Sequence, residues 1–234
     1  MLLAAGRGTR LGALTETFPK PLLQVGGEQM LHRILGGLAA GGVHDVAVVT
    51  GHIGELVETA TGDGGRWGLN VTYFRQQSLD GTARALGLAR EFLGMDRFFL
   101  GWGDIVVGAE NYPRVLAAAT HADAVLAVNE VDDPSAGGAV YVDDDWRVTR
   151  LEEKPARGTS STRWNNAGLM VLPPGIWTFV DALQVSARGE FELPQAIASA
   201  IAQGIPTLAV PVIGPWFDVG TPESLKAARA HFGD

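Results

Sequence analysis

The sequence predicts an α/β protein with a doubly wound, mostly parallel but mixed sheet and a small β-rich insertion. Two observations support this fold class. In the first half of the chain, short β-rich runs alternate with helical patterns, which is typical of βαβ units and a parallel sheet. In the second half, strand patterns follow one another with turn residues between them. In such a sheet we expect ligands to bind at the carboxyl ends of the strands.

Hydrophobic periodicity and turn residues give the individual elements. In the first half, a short apolar strand precedes Gly6, further strands are predicted at 45–50, 70–74 and 97–100, and helices at 28–40 and 82–92. In the second half, strands at 123–131, 139–142 and 147–152 form a hairpin-like insertion. A strand at 169–172, helices from 174 and at 193–203, a strand at 207–213 and a helix from 222 complete the chain. Thr221 is the predicted N-cap of the last helix, and Pro222 its predicted first residue. These elements predict a Rossmann-like single domain over 1–234, with halves of about 1–122 and 123–234.

Composition excludes several classes of protein. The chain has 234 residues, of which 46% are hydrophobic and 19% charged, so it can bury one sizeable core. It has no cysteine, which excludes disulfides and thiolate metal sites and makes the cytoplasm the predicted compartment. No apolar run approaches the roughly 20 residues that span a bilayer, so we expect no membrane association. The net charge of −8 argues against the broad basic face that nucleic acid requires.

A glycine-rich segment at 3–11, Leu-Ala-Ala-Gly-Arg-Gly-Thr-Arg-Leu, is the most informative motif. It is followed by Lys20, and residues 1–21 carry Arg7, Arg10 and Lys20 against Glu16, a local charge of 3 − 1 = +2 in an acidic chain. Backbone N–H groups in such a turn can close on phosphate oxygens, and the cations can share the same charge. Taken alone, however, the motif fits a plain turn with solvated cations better.

A second motif lies at 76–83, where Gln76 precedes an Asp-Gly-Thr turn. The Gln76 amide offers both a donor and an acceptor, as reading the edge of a base requires. Gly81 permits a close backbone approach to a flat ligand, and Thr82 is predicted to cap the following helix. The alternative interpretation is simply a capped helix start.

Further candidate site residues lie beyond residue 100, next to predicted strands. Asp104 and Asp218 are candidate ligands of Mg²⁺, a hard ion that takes one or two carboxylates together with phosphate oxygens. Lys154 could hold a sugar phosphate, while Glu153 and Asn166 could contact sugar hydroxyls. Each of these features also has a structural interpretation as a turn or a solvated strand end.

Taken together and in order, the motifs resemble those of the sugar-1-phosphate nucleotidylyltransferases, or nucleotide-sugar pyrophosphorylases, across nearly the whole chain. The motif set is L-A-A-G-x-G-T-R-L, P-K-P-L, D-G-T-A, G-D, E-K-P, N-x-G and D-V-G-T. The resemblance includes the glucose-1-phosphate thymidylyltransferases and N-acetylmuramate-1-phosphate uridylyltransferases. It implies an Mg²⁺-dependent enzyme that joins a nucleoside triphosphate to a sugar 1-phosphate and releases pyrophosphate. The β-rich insertion would then bind the sugar.

The resemblance assigns roles to individual positions. The expected nucleotide-binding residues are Leu3, Ala5, Gly6, Gly8, Thr9, Arg10, Gln76, Gly81 and Thr82. The expected sugar-phosphate contacts are Gly138, Glu153, Lys154 and Asn166. The expected metal ligands are Asp104 and Asp218, and the expected catalytic residues are Arg10, Lys20, Asp104, Lys154 and Asp218.

Substrate identity stays open at the level of sequence. The stretch 76–81 suits a pyrimidine, hence dTTP or UTP, and a hexose 1-phosphate is the expected acceptor, with N-acetylmuramate 1-phosphate or heptose 1-phosphate as alternatives. Gly137 replaces an aromatic residue that relatives often have there. The short sequence after Thr221 leads us to expect a single activity, and the family resemblance allows a homo-oligomer.

Two other classes of protein are alternative interpretations of the sequence. A dinucleotide-dependent dehydrogenase would need G-x-G-x-x-G, but Leu11 stands at the third glycine position. A non-catalytic nucleotide-sugar sensor of the same fold would lose charged residues, whereas this chain keeps Arg10, Lys20, Asp104, Lys154 and Asp218. Both alternatives are therefore weaker than the enzyme.

Overall fold

The computed structural model describes residues 1–233. Its strands are β1 (Leu2–Ala4), β2 (Gln24–Val25), β3 (Glu28–Gln29), β4 (Asp45–Thr50), β5 (Asn70–Arg75), β6 (Phe98–Trp102), β7 (Ile105–Val106), β8 (Ala124–Glu130), β9 (Gly138–Val142), β10 (Val148–Glu153), β11 (Trp164–Leu172), β12 (Thr207–Pro211) and β13 (Phe217–Asp218). Its α-helices are α1 (Met30–Ala40), α2 (Gly54–Thr61), α3 (Thr82–Leu88), α4 (Arg90–Leu93), α5 (Asn111–Ala118), α6 (Ile176–Asp181), α7 (Leu193–Ala202) and α8 (Pro222–Phe232).

One mixed sheet organises the part of the chain that the structure describes. Its order is β10-β9-β11-β6-β1-β4-β5, with β8 paired to β11 and β12 paired to β8. Strand β1 lies between β4 and β6 and is parallel to both, and β4 is parallel to β5. Strand β11 runs antiparallel to β6, β8 and β9. The predicted mixed α/β fold is confirmed, and both halves of the sequence contribute to one sheet.

Helices cover both faces of this sheet. Strand β4 is buried from Val46 to Thr50, as expected for a parallel strand covered on two sides. Ala47 and Val49 pack with α3 and α7 on one face, whereas Val46 and Val48 pack with α1, α2 and α5 on the other. This burial fixes the position of β1, and the loop that follows β1 therefore emerges at the centre of the sheet edge.

Several element boundaries differ from the sequence prediction. The helix predicted at 28–40 begins at Met30, because Glu28 and Gln29 pair with β2. The helix predicted at 82–92 is two helices, α3 and α4, because Ala89 leaves the helical conformation at φ −100° and ψ 12°. Helices α2 and α5 were not predicted.

The second half also differs from the predicted hairpin-like insertion. Strands β9 and β10 do form an antiparallel hairpin, but β8 joins the main sheet between β11 and β12. Strand β11 begins at Trp164 rather than near Leu169, so Asn165 and Asn166 lie within a strand and not in a turn. Within residues 1–233, no helix is both long and apolar enough to traverse a lipid bilayer.

Candidate active site

The N-terminal loop shapes one side of a cleft at the carboxyl ends of the strands. Gly8 adopts a left-handed conformation at φ +67°, which favours glycine. A Cβ atom at this position would lie 3.2 Å from Cβ of Lys20, so glycine lets the lysine stem pack against the loop. Thr15 Oγ1 donates a hydrogen bond to the Gly8 carbonyl at 2.8 Å and holds the turn in place.

Lys20 and Asp104 form a close ion pair in this cleft. Lys20 is only 7% exposed, and its Nζ donates to Asp104 Oδ2 at 2.5 Å. Asp104 follows β6, and the backbone N–H of Gly103 donates to the Leu3 carbonyl at 2.9 Å. The loop after β6 is therefore fixed to β1, and the carboxylate is brought to the lysine from a distant part of the chain.

Asp218 joins the same cluster through backbone pairing. Strand β13 runs antiparallel to β7, and the Val219 N–H donates to the Asp104 carbonyl at 3.0 Å. The Asp218 carboxylate is accessible from the cleft but is surrounded by protein. Burial raises its pKa above the ordinary value, and the nearby Asp104 charge raises it further, while Lys20 and Arg10 act in the opposite direction.

Arg10 closes the cluster on the side of the N-terminal loop. Its Nη2 lies 2.9 Å from where a Cβ on Gly220 would be, so glycine at 220 leaves room for the guanidinium beside Asp218. Thr9, the remaining predicted residue of this loop, is exposed at the start of a 3-10 turn, Thr9–Thr15. The structure thus gathers two carboxylates and the cations Arg10 and Lys20.

Two carboxylates close together suit a hard divalent cation. Within residues 1–233, no group of three or more histidine, aspartate or glutamate side chains forms a metal site. An ion bound by Asp104 and Asp218 would therefore take its other oxygen ligands from substrate phosphates or water, as Mg²⁺ commonly does. The repulsion that raises the pKa of Asp218 would be relieved by such a cation, so the residues fit it.

A cavity of about 370 Å³ opens beside Asp104. It is lined by Leu3, Ala5, Gly6, Gln76, Leu79, Gly81, Thr82, Ala85, Trp102, Asp104 and Glu190. Six of the predicted nucleotide-binding residues are among them. The cavity is thus continuous with the charged cluster, which places a nucleoside-sized space next to cations.

The loop between β5 and α3 forms one wall of this cavity. Gly81 has φ +118°, and a Cβ there would lie 2.3 Å from the Phe191 carbonyl oxygen, so only glycine fits without rearrangement. Gln76 Nε2 donates to Asp80 Oδ1 and to the Gly81 carbonyl, each at 3.3 Å. The predicted cap is wrong: Gly81 is the N-cap of α3, and Thr82 Oγ1 instead accepts a hydrogen bond from the Leu193 N–H at 3.0 Å.

The predicted sugar-phosphate residues form a second cluster at the ends of β9, β10 and β11. A Cβ on Gly138 would lie 3.4 Å from both Asn166 Cβ and Glu153 Oε2, so the three residues are neighbours. Burial raises the pKa of Glu153, and the nearby positive charges of Lys154 and Arg188 oppose that shift. The second cluster therefore combines a carboxylate acceptor, Glu153, with two nearby cations, Lys154 and Arg188.

Lys154 has an unusual backbone conformation. Its φ is +48°, in the left-handed region that non-glycine residues rarely adopt. Its N–H donates to the Gly137 carbonyl at 2.7 Å, and its Nζ lies 3.8 Å from Glu153 Oε1. The charge of Lys154 also acts to lower the pKa of Asp218, so the two clusters are within electrostatic range of each other.

Two further arginines, Arg188 and Arg7, lie near the site, and no sequence motif indicated Arg188. Arg188 forms a bidentate pair with Glu192, at 2.9 and 2.5 Å, and its charge acts on Glu153. No motif predicted it, since a single arginine in a loop carries no spacing signal. Arg7 does not line the main cavity but lines a neighbouring one of about 310 Å³ with His52 and other residues. Gln76 and Leu79 line both cavities, so Arg7 lies beside the main cavity and not in its wall.

A protein-family model described as nucleotidyl transferase matches residues 1–233. The chain belongs to the nucleotidyl transferase family. Among curated relatives of this nucleotidyl transferase, a glucose-1-phosphate thymidylyltransferase from Streptomyces antibioticus is 36% identical over 222 residues, which cover 94% of the chain and 62% of the relative. A second glucose-1-phosphate thymidylyltransferase, from Neisseria meningitidis serogroup A, is 33% identical, and the match covers 98% of this chain and 81% of the relative. The chain thus spans less than two thirds of the first relative's length.

Solved structures agree with this nucleotidyl transferase fold. A crystal structure of a protein assigned as a glucose-1-phosphate thymidylyltransferase from Bacillus anthracis, in complex with sucrose, superposes with a TM-score of 0.89 at 28% identity. The match covers 100% of this chain and 94% of that one. The family and the fold are therefore established together.

Proposed function

We propose that this nucleotidyl transferase moves a nucleotidyl group from dTTP or UTP to a hexose 1-phosphate, giving a nucleoside diphosphate sugar and pyrophosphate. The observation that carries the proposal is the position of the Lys20–Asp104–Asp218 cluster. Asp104 lines a nucleoside-sized cavity, and the charge of Lys154 acts on Asp218, which supports a site where a nucleotide and a sugar phosphate meet. The two relatives described above are glucose-1-phosphate thymidylyltransferases, which supports the same reaction.

The charges of the site suit this chemistry. A phosphate dianion must approach an α-phosphate that is already negative, and cations lower the repulsion. Arg10 and Lys20 would contact the triphosphate, while Lys154 would hold the sugar phosphate in line with the α-phosphorus. The sugar-phosphate oxygen forms a bond to the α-phosphorus as the bond to the bridging oxygen breaks, and pyrophosphate leaves.

No covalent step through the protein is proposed. The chain has no cysteine, and no motif pairs a serine with a histidine. Asp104 and Asp218 would hold Mg²⁺, which supplies positive charge to the phosphate oxygens when bound. The remaining residues position the two substrates, so direct in-line displacement is expected, and trapping a nucleotidyl–enzyme adduct would contradict it.

Specificity for the base and the sugar is also proposed from the site. Gln76 and Gly81 would face the base, and Glu153, Gly138 and Asn166 would contact sugar hydroxyls. A uridylyltransferase acting on N-acetylmuramate 1-phosphate and a heptose-1-phosphate nucleotidyltransferase remain alternatives. A cytoplasmic location, a homo-oligomeric state and the absence of nucleic-acid and membrane partners stay predictions from the sequence.

A substrate panel tests the reaction. The protein is mixed with Mg²⁺, each of four nucleoside triphosphates and several sugar 1-phosphates, and pyrophosphate release is measured. We expect release with dTTP or UTP and a hexose 1-phosphate, and none when either substrate is omitted. Nucleotide-sugar binding without pyrophosphate release in any combination would instead support the sensor.

A further inference from the structure

A second and larger cleft lies on the other side of α3 from the nucleotide cavity. Its volume is about 750 Å³. Thr82 and Ala85 line the nucleotide cavity, whereas Ala83 and Gly87 on the same helix line the second cleft. The two spaces are therefore neighbours on either side of α3 and share Gln76 in their walls, and the proposed reaction uses the smaller one.

The chemistry of this second cleft favours an aromatic anion. Arg84 stacks on the Phe191 ring at 4.1 Å, and within the described residues no carboxylate forms an ion pair with it. By contrast, Arg90 stacks on Trp177 but is paired with Asp181 at 2.8 and 3.1 Å. The cleft thus offers one guanidinium that is free to pair with a ligand anion, beside two aromatic side chains.

We propose that the second cleft is a binding site for an organic anion that carries an aromatic ring, and that its occupancy changes the affinity of the nucleotide cavity. The binding itself is independent of the proposed function. The coupling rests on the proposed function, because it requires a nucleotide to occupy the other cavity.

Phe191 provides the physical connection between the two spaces. Its ring lines the second cleft, while its backbone holds the nucleotide-binding loop. The Phe191 N–H donates to the Asp80 carbonyl at 2.8 Å, and the Ala83 N–H donates to the Phe191 carbonyl at 3.0 Å. Gly81 packs directly against the Phe191 backbone, since a Cβ on Gly81 would lie 2.3 Å from the Phe191 carbonyl oxygen. Because the Phe191 backbone makes both hydrogen bonds, a ligand that shifts Phe191 as a whole would also shift the loop.

Direct binding tests the first part. The probe is 8-anilinonaphthalene-1-sulfonate, an aromatic anion, titrated against the full chain by fluorescence. Gly87→Leu fills the cleft, because a Cβ at Gly87 meets no atom within 4 Å, so the substitution is compatible with the fold. Arg84→Gln removes the free cation. The matched control is Arg66→Gln, since Arg66 also stacks on an aromatic ring, Trp67, at 3.8 Å, but lines a different cavity.

We expect Arg84→Gln to weaken probe binding about tenfold and Gly87→Leu to abolish it, with Arg66→Gln unchanged. Unchanged affinity in both cleft variants would overturn the site. Sedimentation of Gly87→Leu is compared with that of the original chain. If the oligomeric state changes while probe binding stays the same, the cleft is a contact between copies of the chain, and the proposed site is overturned.

Calorimetry tests the coupling. The dissociation constant of dTTP or UTP is measured with and without saturating probe, in the original chain and in Gly87→Leu. We expect a change of about fivefold in the original chain and none in Gly87→Leu. An identical nucleotide dissociation constant with and without the probe would overturn the coupling. If neither nucleotide binds at all, the proposed function fails, while the probe titration still decides whether the second cleft is a site.

Discussion

Asp218 shows how single residues set the charge of the site. Its carboxylate lies near the Asp104 carboxylate and near the cations Arg10, Lys20 and Lys154, and burial and the Asp104 charge together raise its pKa. Without a further cation, the two carboxylates share mainly the Lys20 ammonium, which contacts Asp104 directly. A divalent ion would therefore stabilise the ionised form of Asp218, and loss of either carboxylate would weaken that ion.

The substitutions Asp104→Asn and Asp218→Asn are each expected to lower kcat at least about hundredfold, because an amide is a poorer ligand for a hard cation. Pyrophosphate release at saturating Mg²⁺ measures the effect. Asp145→Asn, in the exposed turn between β9 and β10, is the control and should leave the rate unchanged. Near-normal turnover of either variant would remove its metal assignment.

Lys154→Ala is expected to raise the KM for the sugar 1-phosphate about tenfold while changing the KM for the nucleotide less, because separate cations hold the two phosphates. Initial rates with each substrate varied in turn give both constants. Lys226→Ala, on the exposed side of α8, serves as control. Equal losses for both substrates would argue against the division of roles.

His32 should make stability depend on pH. Burial, together with the nearby charge of Arg66, lowers its pKa from 6.5 to about 4, so the folded chain keeps the imidazole neutral. The unfolded chain binds a proton in that interval, and the free energy of unfolding should fall as the pH drops from 6.5 to 4. Urea denaturation at several pH values measures this. His32→Gln should flatten the dependence in the interval, and an identical slope in both proteins would contradict the assignment.

Helix α8 shows how an element positions the site. Thr221 caps it: its Oγ1 accepts from the Ser224 N–H at 3.2 Å, and Ser224 Oγ accepts from the Thr221 N–H at 3.0 Å. Ser224 Oγ also accepts from the Gly220 N–H at 3.0 Å. The chain between Asp218 and the helix is therefore held by the cap. The sequence predicted both Thr221 as the cap and Pro222 as the first helical residue, and both are confirmed.

Thr221→Ala is expected to lower the free energy of unfolding by about 1 kcal/mol, the usual cost of losing a capping oxygen. Chemical denaturation measures the change. Thr221→Ser keeps the hydroxyl and should retain most of the stability. If the two variants are equally destabilised, the capping hydrogen bond is not the cause.

At the scale of the whole molecule, the two halves of the sequence share one sheet. Strand β11 from the second half pairs with β6 from the first at four registered positions, and β13 pairs with β7. The Lys20–Asp104–Asp218 cluster depends on both pairings, because Asp104 and Lys20 come from the first half and Asp218 from the second.

The shared sheet leads us to expect one cooperative unfolding transition. Far-ultraviolet circular dichroism and tryptophan fluorescence, followed in the same denaturant series, should give coincident curves. A fragment of residues 1–122 should lack a cooperative transition, because its strand β6 would lose the β11 partner. Two resolved transitions in the full chain would show that the halves fold independently.

Sequence alone determined what is encoded locally. The alternation of strands and helices, the glycine turn after β1, the cap at Thr221 and the carboxylates placed after apolar runs all depend on neighbouring residues, and periodicity and turn chemistry make them visible. The tertiary structure decided which of these features meet. Asp104 and Asp218 converge because β7 and β13 pair across a long stretch of chain, and Arg188, in a loop without a motif, acts on Glu153 by its charge. Such pairings depend on sheet order and register, which are set by packing of the whole chain and leave no local pattern.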